Sequence, residues 1–371
     1  MGLWCGPLEG LVISPLFWKN RRVFITGHTG FKGSWLSLWL HALGADVHGY
    51  ALAPPTSPSL FELADVAGLM NSVIGDIRDL HSLKDAISNA KPEIVIHMAA
   101  QPLVRESYVN PVETFEINVM GTVNILEAVR SIECVSALIN VTTDKCYENK
   151  EWVWGYRENE PLGGHDPYSS SKACSELVSS AYRNSFFDIC GGRVGHATAR
   201  AGNVIGGGDW GKDRLMTDIF SAVQADVPIT IRSPNSIRPW QHVLEPLRGY
   251  LLLSEKIYQD KEKYLGAWNF GPNDSDSKSV GWMVKNISRK LNGSLRWEIE
   301  SGEHPHEAAH LKLNISKANE KLNWHPLISI DEALTLTVDW FNAYQKGVNL
   351  RDFTLSQIKN YQHVMSLSHE D

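Results

Sequence analysis

Residues 23–33 of this 371-residue chain read VFITGHTGFKG, and this stretch decides the fold. Four β-prone residues run into Gly27, and helical periodicity follows from residue 31 to about 42, which predicts a strand, a glycine turn and a helix. In GxxGxxG spacing the first glycine permits a tight turn, the second lets backbone approach a diphosphate, and the third packs helix against strand. A purely structural tight turn is the alternative. We predict a dinucleotide-binding turn that uses Gly27, Thr29, Gly30, Phe31, Lys32 and Gly33.

Outward from this turn, strands alternate with helices. Further strands are predicted at 46–51, 72–75, 94–97, 137–142 and 193–200, and helices at 80–89, 112–131, 168–185, 280–291 and 330–346. This alternation predicts an α/β fold, a Rossmann-type doubly wound parallel sheet with a smaller C-terminal α/β substrate lobe. The expected organisation is an N-terminal extension at 1–18 and a mainly cofactor-binding domain at 19–200. A mainly substrate-binding lobe with segments returning to the first domain follows at 201–348, and a polar tail without assigned function at 349–371.

Composition excludes several classes of partner. There are 35 basic and 42 acidic residues, a net charge of −7, which argues against nucleic acid and membrane surfaces as partners. The five scattered cysteines form no CxxC pair, as is typical of a reducing cytoplasm. The apolar stretch at 11–18 is too short to span a bilayer and lacks the features of a signal peptide. We therefore expect a cytoplasmic protein.

Tyr168 and Lys172 form a YxxxK pair at the start of a predicted helix, so both side chains lie on one helix face. The ammonium is expected to lower the pKa of the phenol, which makes it a base for a substrate hydroxyl. Taken alone, YxxxK is more often an accidental surface pair. Thr143, at the end of a predicted strand, adds a hydroxyl that can bind the reacting oxygen, and together the three residues predict a catalytic site.

The choice of dinucleotide is open at this point. Residues 51–55 read ALAPP, so the second strand ends with neither the acid typical of NAD sites nor a base that would favour NADP. Asp76 follows the third strand and is a candidate for the adenine edge. A helix cap is an equally good interpretation of that aspartate.

The chain resembles the extended short-chain dehydrogenase/reductase family of nucleotide-sugar enzymes over nearly all of residues 19–345. Four stretches resemble the 4,6-dehydratases of that family: TTDKCY at 142–147, EWVWGYRE at 151–158, RAGNVIGGGDW at 200–210 and RPWQHV at 238–243. Three departures are the extra N-terminal residues, Ser170 within YxxxK and Ala173 after it.

The resemblance implies an enzyme of the lyase class with bound NAD and a nucleotide-sugar substrate, CDP-glucose. It also implies a role in deoxysugar synthesis for surface lipopolysaccharide and a homodimer or homotetramer. The cofactor-binding set is then completed by Asp76, Ile77, Ala99, Ala100, Gln101 and Asn118, together with Tyr168 and Lys172.

Asp144 and Lys145 follow Thr143 directly and supply the further acid/base pair that a dehydration needs. Oxidation at C4 of a hexose makes the C5 proton acidic, and its loss expels the C6 hydroxyl as water. Our hypothesis is that Asp144 protonates the leaving hydroxyl and Lys145 removes the C5 proton, although the assignment of acid and base is a coupled question. A surface ion pair is the alternative.

Candidate hydrogen-bond donors to a sugar diphosphate are concentrated in the second half of the chain. We predict that Asn203, Arg214, Arg238 and His242 contact the substrate. The histidines at 304, 306 and 310 indicate a loop better than a metal site, and no metal is expected. Cys146 has no paired base and is not expected to be a nucleophile. Alternative functions are another nucleotide-sugar 4,6-dehydratase, a 4-epimerase, or a non-catalytic dinucleotide sensor.

Overall fold

Strands and helices alternate along the chain as the sequence predicts. A computed structural model describes residues 13–188, 192–299 and 311–367. The strands are β1 (Arg22–Thr26), β2 (Asp46–Ala51), β3 (Asn71–Ile74), β4 (Ile94–His97), β5 (Ala137–Val141), β6 (Gly195–Arg200), β7 (Val204–Ile205), β8 (Ile229–Ile231), β9 (Ile237–Pro239), β10 (Gln241–His242), β11 (Gly266–Asn269), β12 (Ser277–Ser279) and β13 (Trp297–Ile299).

The helices are α1 (Pro15–Trp18), α2 (Phe31–Ala42), α3 (Leu60–Leu63), α4 (Leu80–Ala90), α5 (Val104–Val109), α6 (Pro111–Phe115), α7 (Gly121–Arg130), α8 (Pro167–Tyr182), α9 (Leu215–Ala225), α10 (Leu244–Gln259), α11 (Lys261–Tyr264), α12 (Val280–Lys290), α13 (Ser316–Leu322), α14 (Ile330–Gln345) and α15 (Leu350–Leu367). A π-helical turn, Glu116–Met120, joins α6 to α7.

Seven strands form one parallel sheet in the order β11-β6-β5-β4-β1-β2-β3. The sheet extends in one direction from β1 to β3 and in the other from β4 onward, so helices cover both faces, and the predicted Rossmann-type fold is confirmed. One face packs against α2 and α10, and the other packs against α4 and α7. The carboxyl ends of β1, β4, β5 and β6 meet at one edge, where a ligand site is expected.

A second apolar core lies in the smaller lobe. It joins α9, α12 and α14 to the strand pair β8 and β13, and a second pair, β9 with β12, contacts α12. A capping box begins α14: the Ser329 side chain accepts from the Glu332 backbone, and the Glu332 side chain accepts from the Ser329 backbone. β11 returns from this region to the edge of the main sheet, as the predicted domain organisation allows.

Both ends of the described chain pack against the rest of the fold more closely than the sequence predicts. Trp18, assigned to a peripheral extension, is fully buried and donates a 2.5 Å hydrogen bond to Glu255 on α10. Residues 350–367, assigned to a polar tail, form α15, which packs on α2 and α14. Tyr361 of α15 donates to Glu245 at 2.8 Å. The buried face of this helix includes polar residues, so its apolar pattern in the sequence is weak.

Several sequence predictions fall outside the described residues: the loop histidines His304, His306 and His310, and the cysteines Cys5 and Cys190. In the described part of the chain, no cluster of three or more His, Cys, Asp or Glu side chains is arranged to hold a metal ion. Every helix in those same residues is too short or too polar to cross a lipid bilayer.

Candidate active site

The glycine turn between β1 and α2 leaves no room for side chains at two of its glycines. Gly27 has φ +80°, and a Cβ there would lie 2.7 Å from the backbone nitrogen of Ala99. A Cβ on Gly33 would lie 2.1 Å from the carbonyl oxygen of Gly27. Gly30 caps α2, whose first-turn N–H groups have no intrahelical partners. Only backbone can occupy these two positions, as close approach by a diphosphate requires.

Asn118 ties the loop after β4 to the YxxxK helix. Its Oδ1 accepts from the Gln101 backbone at 2.9 Å, and its Nδ2 donates to the Gln101 carbonyl at 3.0 Å. The same Nδ2 donates to the Ser171 hydroxyl at 2.9 Å. At the other end of the loop, the Ala99 N–H donates to Thr26 Oγ1 at 3.2 Å. Residues 99–101 are thus fixed beside the glycine turn.

The predicted adenine contact is engaged in an ion pair. Asp76 accepts from the Arg78 guanidinium at 2.6 and 2.9 Å, and this bonding holds the pKa of Asp76 below its ordinary value. The cap of α4 is Asp79, not Asp76, so the helix-cap interpretation of Asp76 is wrong. Ile77 is buried, and its carbonyl accepts from Asn124 at 2.9 Å.

Tyr168 and Lys172 lie in the first turns of α8 and point to the carboxyl end of β5. Both side chains are buried, which excludes an accidental surface pair. Lys172 Nζ donates to the Val141 carbonyl at 3.4 Å. Burial lowers the pKa of Lys172 to about 8, although the charge of Glu176 opposes it. Burial raises the pKa of Tyr168 to about 12 against a hydrogen bond with Thr143. That direction is opposite to the expected one, because burial outweighs the Thr143 hydrogen bond and the charge of Arg214.

Asp144 is enclosed between two loops. It is 1% exposed, and its Oδ1 accepts from the Thr143 hydroxyl at 3.0 Å. On its other side, Asn203 Nδ2 donates to Oδ2 at 3.5 Å. A Cβ on Gly202 would lie only 1.9 Å from that same Oδ2. Lys145 is half-buried on the same turn, and its ammonium has no hydrogen-bond or ion-pair partner among the described residues. The two neighbours therefore do not form a surface ion pair.

Arg214 is brought to the same centre by a buried aspartate. Its guanidinium donates to both carboxylate oxygens of Asp209, at 2.7 and 2.8 Å. The charge of Arg214 is close enough to lower the pKa of Tyr168 in opposition to burial. Lys32, in the first turn of α2, shares this field: desolvation and then Arg214 lower its pKa to about 8, whereas Asp144 acts to raise it. Lys32 therefore links the glycine turn electrostatically to Arg214 and Asp144.

The other two predicted substrate contacts lie apart from Arg214. Arg238 is half-buried on β9, and its guanidinium donates to the Ile237 carbonyl at 3.1 Å. His242 is completely buried, and its ring meets the edge of Trp35 at 5.8 Å. Burial lowers the pKa of His242 to about 3, so the ring is neutral. The structure thus places His242 in the core behind the site.

Two groups of residues at this site were missed by sequence reasoning. Glu176 and Arg200 form a buried ion pair below Lys172, and the signal for it was a glutamate four residues after the lysine. Trp35 of α2 donates to the Gly207 carbonyl at 2.9 Å, and a Cβ on Gly207 would lie 1.9 Å from Trp340. The glycine-rich loop at 206–208 is therefore held between the cofactor helix and the smaller lobe.

Taken together, the site combines a backbone-lined turn for a diphosphate with a buried hydroxyl, phenol and ammonium. The buried carboxylate of Asp144 adjoins that centre, and the half-buried Lys145 follows it on the same turn. Cys146 is buried, which raises its pKa and keeps the thiol protonated, in agreement with its exclusion as a nucleophile. Such a set can exchange a hydride with a dinucleotide and also carry out acid/base chemistry on a neighbouring carbon.

The sequence of this chain is similar to a protein-family model and to an enzyme of Salmonella typhimurium. The family model for GDP-mannose 4,6 dehydratase matches residues 24–337. The CDP-glucose 4,6-dehydratase of Salmonella typhimurium (strain LT2) is 53% identical over 353 residues, which cover 94% of this chain and 98% of that protein.

Two solved structures show the same fold at low identity. The epimerase Mth375 of Methanothermobacter thermautotrophicus is 21% identical, with a TM-score of 0.78, and the match covers 94% of this chain and 99% of that one. The UDP-glucuronic acid 4-epimerase of Bacillus cereus, solved with UDP-glucuronic acid and NAD, is 20% identical with a TM-score of 0.72. That match covers 87% of this chain and 99% of the other.

Proposed function

The chain belongs to the GDP-mannose 4,6-dehydratase family, and we propose that it converts CDP-glucose to CDP-4-dehydro-6-deoxyglucose and water. The observation that carries this proposal is the enclosed carboxylate of Asp144 beside Thr143 and Tyr168. A 4-epimerase needs the hydride-transfer residues but no further acid for a leaving hydroxyl. The 53% identity to a CDP-glucose 4,6-dehydratase supports the same choice of reaction and substrate.

The residues of the glycine turn fit NAD. The positions filled by Gly27 and Gly33 have no space for Cβ atoms, and the first turn of α2 offers free backbone donors to a diphosphate. Thr29, residues 99–101 and Asn118 border this turn. Bound NAD would accept the C4 hydride of the sugar and return a hydride at C6.

Tyr168 is the proposed acceptor of the C4 hydroxyl proton. Its raised pKa means that a phenolate forms only with help from nearby cations and donors. Arg214 and the Thr143 hydroxyl supply that help, and Lys172, one helical turn along α8, is proposed to add its charge. Thr143 would also hold the reacting oxygen during oxidation, when C4 becomes a carbonyl.

Asp144 and Lys145 are the proposed pair for the elimination. The C4 carbonyl makes the C5–H bond acidic, Lys145 removes that proton, and the electron pair forms the C5–C6 double bond as the C6–O bond breaks. Asp144 gives a proton to the departing oxygen, so one water leaves. After reduction at C6, a proton returns to C5, and the sequence has no net oxidation or reduction.

We propose that Asn203, Arg214 and Arg238 bind the nucleotide diphosphate. Arg214 is preset for this role because Asp209 fixes its guanidinium. His242 remains part of the proposal. Its ring is buried behind these three residues, so it would act through packing.

The cellular setting is a further part of the proposal. We place the enzyme in the cytoplasm, in the synthesis of deoxysugar precursors for lipopolysaccharide, as a homo-oligomer. Support for an oligomer comes from large apolar side chains exposed on α6, the π-helical turn and α8, namely Val112, Phe115, Met120 and Leu177. Light scattering of Leu177→Asp should show a smaller particle than the wild type if this surface pairs two subunits.

The deciding experiment is incubation of the purified protein with CDP-glucose, dTDP-glucose and GDP-mannose. We expect the base-induced absorbance of a 4-keto-6-deoxy product from CDP-glucose, with the others turned over far more slowly. Product from another substrate but not from CDP-glucose would overturn the specificity. A C4 epimer without loss of water would overturn the reaction class.

A further inference from the structure

A buried carboxylate lies one helical turn after Lys172 on the same face of α8. Glu176 Oε1 accepts from the Thr142 hydroxyl at 2.5 Å and from Arg200 Nε at 3.0 Å. Its Oε2 accepts from the Thr198 hydroxyl at 2.7 Å and from a terminal Arg200 nitrogen at 2.8 Å. Both charged side chains are only 3% exposed. Four donors therefore hold one carboxylate in a single position.

Arg200 is itself anchored on its far side. Its other terminal nitrogen donates to the Tyr147 hydroxyl at 2.7 Å and to the Glu158 carbonyl at 3.1 Å. Tyr147 in turn donates to Asn269 on β11 at 2.7 Å. The pair thus connects α8, the ends of β5 and β6, and the edge strand β11.

The catalytic side of this network is Lys172. The charge of Glu176 is the leading influence that opposes the effect of burial on the Lys172 ammonium. Burial acts to raise the pKa of Glu176, but Arg200 and the hydroxyl donors outweigh it and hold that pKa below the ordinary value. Glu176 therefore remains an anion throughout the pH range in which the enzyme is assayed.

We propose that Glu176 is a positioning residue of the 4,6-dehydratase reaction, whose negative charge supports the Lys172 ammonium and whose hydrogen bond to Thr142 fixes the adjacent Thr143. This inference rests on the function proposed above. Arg200 keeps the carboxylate in place, and neither residue touches the substrate. A buried ion pair adds little to stability compared with apolar residues, so its value here lies in electrostatics at the site.

Other titratable groups face this pair. Arg183, His196 and Cys146 surround Glu176, while Lys32, His97 and Cys146 face Lys172. Burial lowers the pKa of His97 to about 3 and that of His196 to about 4, and it raises that of Cys146, so these three stay neutral in an assay between pH 6 and 9. Of these groups, Lys32 alone titrates in the same range as Lys172, with a pKa of about 8.

The test is the pH dependence of kcat/KM for CDP-glucose in Glu176→Gln. Loss of the anion lets burial deprotonate Lys172 at lower pH, so the alkaline limb should move down by about one pH unit. Glu176→Asp keeps the charge on a shorter side chain and should move the limb less, in the same direction. Thr198→Val removes one donor but leaves the carboxylate, and should leave the limb in place. Repeating the comparison in a Lys32→Met background shows whether Lys32 or Lys172 sets the alkaline limb.

The outcomes distinguish the two proposals. Wild-type protein without turnover of CDP-glucose counts against the proposed function. Wild-type turnover with an unmoved alkaline limb in Glu176→Gln, or in Glu176→Asp if the first variant does not fold, counts against this inference alone. A purely structural pair would lower the unfolding temperature and leave the limb where it was.

Discussion

Asn118 and Ser171 lie 2.9 Å apart, amide nitrogen to hydroxyl oxygen, and this contact joins the loop after β4 to helix α8. The loop borders the glycine turn and the helix carries Tyr168 and Lys172. The residues proposed for cofactor binding and for catalysis are therefore connected by one buried side chain as well as through the sheet.

Asn118→Ala should weaken NAD binding. The variant leaves the Gln101 N–H and carbonyl without their 2.9 and 3.0 Å partners, and a buried polar group without a partner costs about 1–3 kcal/mol. We expect the Kd for NAD to rise about tenfold, as measured by quenching of tryptophan fluorescence. Asn110→Ala, an exposed change near α6, is the control. Equal affinity in Asn118→Ala and the wild type would contradict the role of this contact.

Gly202→Ala should impair dehydration through Asp144. The added Cβ would lie 1.9 Å from Asp144 Oδ2, so the carboxylate must move. Because a displacement of about 1 Å can cost about 10²-fold, we expect kcat to fall by about that factor while NAD binding persists. The control is Gly163→Ala, whose Cβ would make an ordinary 3.6 Å contact with Glu148. A variant with normal turnover would show that Asp144 need not hold its observed position.

Lys145→Met tests the proposed base. The substitution retains the length of the side chain but removes the ammonium, and Lys145 has no partner among the described residues whose loss would disturb the fold. We expect NAD to remain bound and exchange of the C5 hydrogen with deuterated solvent to fall by about 10²- to 10⁴-fold. Mass spectrometry of the product follows the label. Undiminished exchange would assign the base to another residue.

Glu255→Gln should flatten the dependence of stability on pH. Burial raises the pKa of Glu255 from 4.5 to about 7, against the hydrogen bond from Trp18. Because the folded-state pKa is the higher one, this group stabilises the fold fully below pH 4.5, and that contribution is lost as pH rises through about 7. The change is about 3 kcal/mol in the free energy of unfolding.

Urea unfolding of the wild type and Glu255→Gln at about pH 5 and about pH 7.5 measures this effect through tryptophan fluorescence. The wild type should lose more stability between the two pH values than the variant does. Glu262→Gln, at an exposed position on α11, should behave as the wild type. Parallel losses in all three proteins would show that Glu255 does not titrate in this range.

The sequence predicts best those helices and strands whose boundaries are marked by neighbouring residues. The strands β2 and β4 and helix α2 begin and end at the predicted residues, because each is an apolar segment with a glycine or polar boundary. Helix α10 was not predicted. It contains Pro246 and Gly249 and buries Glu245, Arg248 and Glu255, residue types that do not indicate a buried helix, so its burial depends on tertiary partners.

The residues of the candidate site also fall into those that the sequence predicts and those that it does not. The glycine turn, Thr143, Asp144 and YxxxK are contiguous motifs, and each can be recognised by its residue types and spacing. The Glu176–Arg200 pair and the contact between Trp35 and Gly207 join residues 24 and 172 positions apart in sequence. Only the folded arrangement brings such residues together; the spacing of Glu176 from Lys172 places both on one helix face but does not indicate the arginine partner.

The late positions of β11 and α15 in the sequence have a consequence for synthesis on the ribosome. The sheet receives its edge strand β11 at residues 266–269, and helix α2 gains its α15 partner only at residues 350–367. At elongation speeds of about 5–20 residues per second, α2 waits roughly 15–60 s for that cover after it leaves the exit tunnel. During that interval the face of α2 that carries Trp39, whose ring meets Tyr361 of α15 in the folded protein, lacks this partner.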